Sequence, residues 1–377
     1  MKRLYIFNPE HDLSLAAGTP NYQAPESALF LASDLALLPK WYAENGAKVF
    51  DRSDIMPIDP TEEFESVVPW GWDKSVKRLL IINGIDESIL PSDEKIETIR
   101  QLSHRRTATR AMAHLRSKLG DKYHFPLPAA ELHSVEEVKT FAEAYDEIVL
   151  KAPWSSSGRG VYWTTARFTP SLGGWIKRTI EKQGSIMAEL AMDRVMDFAM
   201  EFKIENGKSE FVGYSLFFTE GQGAYRGNRL MSNERIAGII SEWIPAEELD
   251  DVERELIEFM NSNLATVYEG FVGVDMFIYR GKEGFMLNPV VEINLRMTMG
   301  MVARVLYDRH VSPGSEGMFM VEHKTPGRLM VHHQWQEQNE KMEYDVEGRL
   351  MKGYMSLCPV TENSLYRAAI QLSINNQ

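Results

Sequence analysis

The sequence predicts an α/β protein whose first third is a small parallel-sheet lobe and whose remainder mixes helices with strand-rich stretches. Three observations carry this. The first third alternates short apolar runs with amphipathic helical stretches, as strands joined by crossover helices do. Further on, Ile148-Val149-Leu150-Lys151 is a buried-type strand that ends on a charge, followed by a serine/glycine loop and a second strand, Val161–Thr164. From Ser185 onward strands dominate. One of them sets polar Glu292, Asn294 and Arg296 on one face against apolar Val291, Ile293 and Leu295 on the other.

The elements follow in order. Leu4–Asn8 is a strand running into the polar loop Asn8-Pro9-Glu10-His11-Asp12. Pro25 opens a helix with the apolar stripe Ala28, Leu31, Ala32, Leu35 and Leu38. Ala47–Phe50 is a short strand, and Leu79–Ile82 is another apolar run, stopped by Asn83-Gly84. A helix covers Ser103 to Leu119, with Gly120 as its stop. Ser134 and Glu137 form a capping box for a helix through Tyr145. After the Lys151 hairpin come a helix over Leu172–Lys182 and strands at Ile186–Leu190, Phe198–Ile204 and Phe211–Phe218. A long amphipathic helix spans Ala246 to Tyr268. Gly270–Tyr279 then pairs with Phe285–Asn294 around a Gly281/Gly284 turn. Beyond Ser312 the pattern assigns no elements. His332-His333 there lacks a third ligand at metal spacing and reads as a solvated strand end.

The chain has 377 residues, 44% hydrophobic and 25% charged, an ordinary globular composition long enough for two or three lobes. With 41 basic and 54 acidic residues its net charge is −13, which disfavours nucleic acid or an anionic membrane as the main partner. The single cysteine, Cys358, permits no internal disulfide and reads as a small core residue in a reducing compartment. No apolar run approaches the ~18 residues of a membrane span. Met1–Phe7 reads as a first strand, not a signal peptide, so a cytoplasmic location is expected.

Lys151-Ala152-Pro153-Trp154-Ser155-Ser156-Ser157-Gly158-Arg159-Gly160 is the first segment with chemistry in it. A lysine closing an apolar strand is costly to bury unpaired. The small residues after it let backbone N–H groups approach phosphate oxygens, the hydroxyls add donors and Arg159 adds a fixed charge. Alone, the segment reads equally as a hairpin turn with a snorkelling lysine. It is neither a P-loop, since the lysine precedes the glycines, nor a dinucleotide fingerprint, since two strands flank it.

Asp275, Glu292 and Asn294 offer the hard oxygen ligands that Mg2+ prefers, and Arg296 on the same face is placed to neutralise a transferring phosphoryl group. The alternative is a solvated edge with a Glu292–Arg296 pair. A third set, Met187-Ala188-Glu189-Leu190 with Asp197 and Glu201 beyond, has an acid at a strand end suited to an adenine amino group and a second acid suited to ribose hydroxyls; taken singly, each reads as a solvated strand-end acid.

In this order and spacing the three sets resemble the ATP-grasp superfamily over about Ser103 to Arg309, the Glu-x-Asn-x-Arg strand after Gly273-Val274-Asp275 being the most specific part. The resemblance implies two α+β subdomains clasping ATP behind a small N-terminal α/β lobe, with divisions at 1–102, 103–187, 188–325 and 326–377. It implies that Lys151 meets the α-phosphate and the adenine edge. Ser155, Ser156, Ser157, Gly158, Arg159 and Gly160 would cover the β- and γ-phosphates. Glu189 and Leu190 would hold adenine, and Asp197 the ribose. Asp275, Glu292 and Asn294 would bind one or two Mg2+ ions, with Mn2+ as an alternative, and Arg296 would stabilise the transition state of acyl-phosphate formation. The family's other phosphate lysine is absent here, and Arg105 or Arg106 would replace it. Arg226, in Ala224-Tyr225-Arg226-Gly227-Asn228-Arg229, is similar to the Arg-x-Asn segment that lies by the γ-phosphate and the acceptor in glutathione-synthetase-like and ribosomal-protein-glutamate-ligase-like branches, or else lies in an exposed basic loop.

The activity so implied is ATP- and Mg2+-dependent ligation of a small-molecule or peptide carboxylate to an amine, or less often a thiol. A phosphotransferase acting on a hydroxyl and a non-catalytic nucleotide-binding protein are the alternatives. Glu10, His11 and Asp12 are candidates to touch substrate or to cap a helix, and Trp70-Gly71-Trp72 is a pocket wall or core packing. The oligomeric state is open, a dimer included.

Overall fold

The computed structural model describes residues 2–52, 62–155, 160–165, 167–220, 224–282 and 284–374, and among these the strands form three sheets. The N-terminal lobe contains β1 (Lys2–Ile6), α1 (His11–Ala17), α2 (Glu26–Asp34), β2 (Lys48–Phe50), β3 (Phe64–Pro69), α3 (Lys74–Ile82) and α4 (Asp93–Leu102). Its parallel sheet has β1 between β2 and β3. Strand alternation splits β1 between two cores. Leu4 and Ile6 pack with Val76 and Leu80, while Tyr5 and Phe7 pack with Leu35, Leu38 and Trp70. Trp70 is thus core, edge-on to Phe7 at 5.0 Å between centroids.

The apolar run Leu79–Ile82 is the end of a helix, and the third strand is the half-polar Phe64–Pro69. Four apolar residues suit either element. Asp73 decides, because its carboxylate accepts from Ser75 N and Val76 N at 2.8 and 2.9 Å and starts α3.

The next segment holds α5 (Arg106–Leu119), β4 (Ala130–Leu132), α6 (Val135–Glu143), β5 (Ile148–Lys151), β6 (Val161–Thr164), α7 (Pro170–Gln183) and β7 (Ile186–Leu190). The Ser134 half of the capping box forms, its Oγ accepting from Glu137 N at 3.1 Å, while Glu137 Oε2 reaches one residue past the cap and accepts from His133 N at 2.8 Å. The antiparallel sheet runs β4-β7-β5-β6. Ile148, Leu150, Ile186 and Ala188 face α6 and α7 in one core. Alternation therefore turns Lys151 and Glu189 to the opposite face, where they meet.

The rest of the chain contains β8 (Arg194–Glu205), β9 (Lys208–Glu220), β10 (Ala224–Leu230), α8 (Asn233–Ser241), α9 (Ala246–Asn263), β11 (Gly270–Gly281), β12 (Gly284–Asn294), α10 (Met299–His310), β13 (Ser315–His323), α11 (Arg328–Asn339), β14 (Glu343–Tyr344), β15 (Leu350–Ser356) and β16 (Tyr366–Ile374). They build one antiparallel sheet, β12-β11-β8-β9-β10-β13-β16-β15-β14, so the C-terminal stretch continues the same sheet through the β13–β16 pairing. Phe198, Met200, Phe202, Val272, Val274 and Met276 pack with the apolar face of α9. The alternate residues, Asp197, Ala199, Glu201 and Asp275, face a cleft.

His332 and His333 lie on α11, not at a strand end. The buried face of that helix is Leu329, His333 and Gln336, so its period is hidden by two polar members. They surround the fully buried Arg367, which donates to Glu322 Oε2 at 2.9 Å, Tyr354 OH at 2.7 Å and Gln336 Oε1 at 2.9 Å. Cys358 is buried in the core. No helix among the described residues is long and apolar enough to cross a membrane.

Candidate functional site

A cleft with about 1200 Å3 of empty space, partly open to solvent, separates the two antiparallel sheets. Arg105, Lys151 and Ser155 line it from one side. Asp197, Glu201, Asp275, Glu292, Asn294 and Arg296 line it from the other. A narrower recess adjoins it, with about 430 Å3 of empty space, open solvent included, walled by Met112, Leu127, Met187, Met192 and Val290 with Glu189 at its edge. Arg105 and Lys151 line both and so stand at the neck.

Lys151 is 4% exposed and forms an ion pair with Glu189. Burial pushes its pKa below the usual lysine value, against the pull of Glu189 and helped by Arg105 and Arg194. An ammonium so placed gains when an anion enters the neck. The loop after it closes on Ala152 N, which donates to Gly160 O at 2.8 Å. Gly160 has φ +70°, which glycine adopts without strain. Ser156, Ser157, Gly158 and Arg159 lie outside the described residues.

The structure separates Arg105 from Arg106. The Arg105 guanidinium donates to Ala152 O at 3.0 Å and Ser155 Oγ at 3.1 Å, and pairs with Glu292 Oε2 at 2.9 Å. Arg106 starts α5 on its outer side, half-exposed, and donates to Glu131 Oε1 at 2.7 Å. It does not line the cleft.

Asp275 and Glu292 are directly opposed in the β11–β12 register. Burial pushes the Asp275 carboxyl well above the usual carboxylate range, and Glu292 pushes it further, with Arg296 opposing. Asn294 Nδ2 donates to Asp275 Oδ2 at 3.3 Å, and Asn294 Oδ1 accepts from Arg296 Nη2 at 2.9 Å. Two carboxylates and a side-chain amide lie side by side, a donor set that fits a hard divalent cation once the amide, whose nitrogen faces Asp275, turns its oxygen inward. Glu292 and Asn294 would have to release Arg105 and Arg296 to serve one. No Glu292–Arg296 ion pair forms. Arg296 instead takes the Asp12 carboxylate through a two-pronged fork, Nε–Oδ1 at 2.9 Å and Nη2–Oδ2 at 3.0 Å.

Of the other loop residues, Glu10 pairs with Arg52 at 2.7 Å, and His11 lies 3.3 Å from Asp73. Asp197 lines the cleft beside Arg194, 3.6 Å away, and burial raises its pKa. Leu190 sits half-buried at the end of β7, opposite Ile148. Arg226 is exposed and outside the cleft lining, which takes its neighbours Tyr225 and Asn228 instead. A register shift in the β9–β10 ladder between Tyr225 and Gly227 puts both of those on the cleft side.

Glu201 is the acid that sequence reasoning underused. It is 1% exposed and lines the cleft, with Ser215 Oγ donating to Oε1 at 2.9 Å and Thr298 Oγ1 donating to Oε2 at 2.9 Å. Burial pushes its carboxyl up to about 8. Its spacing from Asp197, four residues along one strand face, was the available signal. Gly300 makes room for it, since a Cβ there would lie 2.1 Å from Glu201 Oε1 and 2.3 Å from Ser215 Oγ. Gly300→Ala is expected to destabilise the protein by about 2–4 kcal/mol, read as a lower urea midpoint at unchanged slope.

No family model matches the chain, and no curated protein matches it in sequence. Its structure aligns with N5-carboxyaminoimidazole synthetase from Staphylococcus aureus complexed with ADP, at a TM-score of 0.52 and 11% identity, over 100% of this chain and 94% of that one. It also aligns with the biotin carboxylase–β,γ-ATP complex from Campylobacter jejuni, at a TM-score of 0.52 and 12% identity, over 99% and 87%. The chain has the ATP-grasp fold. At these identities the likeness is one of fold. Both ATP-grasp neighbours were determined with an adenine nucleotide. Arg105, Lys151, Ser155, Asp197, Asp275, Glu292, Asn294 and Arg296 thus stand on the walls of one cleft and Glu189 on the adjoining recess, whereas Arg106, Gly160, Leu190 and Arg226 line neither.

Proposed function

We propose that the protein is an ATP- and Mg2+-dependent ligase that activates a substrate carboxylate as an acyl phosphate for attack by an amine. The observation that carries this is the placement of Lys151 and Arg105 at the neck between an apolar recess and a cleft floored by Asp275, Glu292, Asn294 and Arg296. The recess takes the adenine, with Glu189 accepting from its amino group. Lys151, Arg105 and Ser155 hold phosphates. Asp197 reaches the ribose.

Asp275, Glu292 and Asn294 would hold Mg2+, which when bound neutralises charge on the phosphates. Arg296 faces the equatorial oxygens as a substrate carboxylate oxygen attacks the γ-phosphorus and ADP leaves. The amine nitrogen then attacks the acyl carbon, the bond to the phosphate oxygen breaks, and inorganic phosphate departs as the nitrogen sheds its protons. Positioning and charge neutralisation supply the acceleration. Incubation with ATP, Mg2+ and pools of amino acids and peptides tests the proposal. An amide product with ADP and free phosphate in equal amounts is expected. A phosphorylated metabolite without free phosphate would replace ligation with phosphotransfer to a hydroxyl.

A further inference from the structure

Away from the cleft, α5 lays His114 and Lys118 along the acidic edge of α9. The packing beneath is apolar, with Ala111 and Leu115 in one core with Leu256 and Phe259. Lysines close much of the charged edge by direct contact. Lys118 Nζ donates to Glu258 Oε1 at 3.1 Å, and Lys122, just beyond α5, donates to Asp251 Oδ2 at 2.8 Å. His114 differs. Its Nε2 lies 3.3 Å from Glu255 Oε2, yet neither atom has a hydrogen bond and both are shut off from solvent. Glu255 is 8% exposed, and only its other oxygen faces a second cation, Arg254 Nε at 3.7 Å. The pair is close without being aligned for donation, so each atom keeps a lone pair with nothing to meet it.

That distance suits a shared ion. Bonds of about 2.0–2.2 Å at a tetrahedral angle set two ligand atoms about 3.4 Å apart. Glu258 stands one turn on from Glu255 along the same face of α9 and adds a third ligand, one atom from each of the three lying within 4.8 Å of the others. No other His, Cys, Asp or Glu trio among the described residues comes so close. Glu258 and Lys118 are half-exposed, which leaves a path from solvent. We infer that His114, Glu255 and Glu258 form a site for a divalent transition-metal ion of the Zn2+ class, bridging α5 and α9 with a fourth position left to water. An imidazole nitrogen among the ligands favours such an ion over Mg2+. The bound ion would fasten the helix that begins beside Arg105 of the cleft. The site is independent of the ligase reading.

The test uses the full chain, stripped with a chelator and kept in excess Mg2+ so that the cleft carboxylates are supplied. Calorimetric titration with Zn2+ is expected to show one ion per chain, and saturation to raise the unfolding temperature. Co2+ in place of Zn2+ is expected to give the intense visible absorption of a four-coordinate ion. His114→Gln and Glu255→Gln should each weaken Zn2+ binding about 100-fold or more and abolish that band, and Glu258→Gln should weaken binding about tenfold. Asp275→Asn should leave both readouts as they are in the wild type, which separates this site from the cleft. Thermal unfolding of the metal-free variants reports that they fold. If Glu255→Gln does not fold, His114→Gln and the wild-type Co2+ spectrum still decide. The inference is overturned if the wild type binds Zn2+ no more tightly than His114→Gln, if Co2+ gives no four-coordinate band, or if Asp275→Asn removes the binding, which would place the ion in the cleft. None of these readouts involves nucleotide, so their failure leaves the proposed ligase site standing.

Discussion

Lys151→Ala is expected to weaken MgATP binding by about 100-fold or more, equivalent to losing about 3 kcal/mol of charge-assisted hydrogen bonding. The size of the effect follows from where the ammonium sits. Lys151 is buried at the end of β5 and lines both the cleft and the recess. An anion reaching that neck meets a cation that burial has already stripped of water, so little solvation is left to lose on binding. Glu189 is the resident counter-charge, and removing Lys151 leaves its carboxylate facing the recess alone. Lys151→Met keeps the bulk and separates lost charge from lost packing. Calorimetric titration of both variants, with thermal unfolding to verify folding, checks the expectation. Binding within a few-fold of wild type would remove Lys151 from the nucleotide site.

Arg296→Gln is expected to lower MgATP-dependent ADP formation by about 10³-fold while leaving nucleotide affinity nearly unchanged. The guanidinium lies beyond the end of β12, held by the Asp12 fork and by Asn294 Oδ1. It stands on the floor of the cleft, away from the recess. Such a group contributes where charge develops during transfer, not where the nucleotide first docks. Glutamine keeps a donor toward Asp12 but loses the fixed charge. Separate measurement of ADP release and of analogue binding distinguishes the two. Equal losses in both would make Arg296 a nucleotide anchor instead.

The two clusters at the heart of the site were legible because strand alternation exposes them. A polar stripe opposite Val291, Ile293 and Leu295, or a lysine closing an apolar run, stands out at a period of two. Contacts between distant segments were not. Asp12 lies 284 residues before Arg296, and no local pattern joins them. The choice between Arg105 and Arg106 was equally hidden, since it depends on which way the chain enters α5. In the fold, Leu79–Ile82 became a helix because Asp73 caps it, and β3 escaped notice because it is half-polar. The helix carrying His332 and His333 buries polar residues against Arg367, and so shows no apolar period. Arg226 faces away because the β9–β10 ladder shifts register, and such a shift leaves no compositional trace.

The Arg105–Glu292 ion pair has a thermodynamic consequence. In the proposed reading a phosphate takes Arg105 and a divalent ion takes Glu292, and either must first break the same 2.9 Å contact. Whichever arrives first bears that loss, and the second finds its partner already released. Each therefore tightens the binding of the other by the same factor, as linkage requires. The protein would treat nucleotide and metal as one joint ligand, and discriminate against nucleotide that comes without its ion.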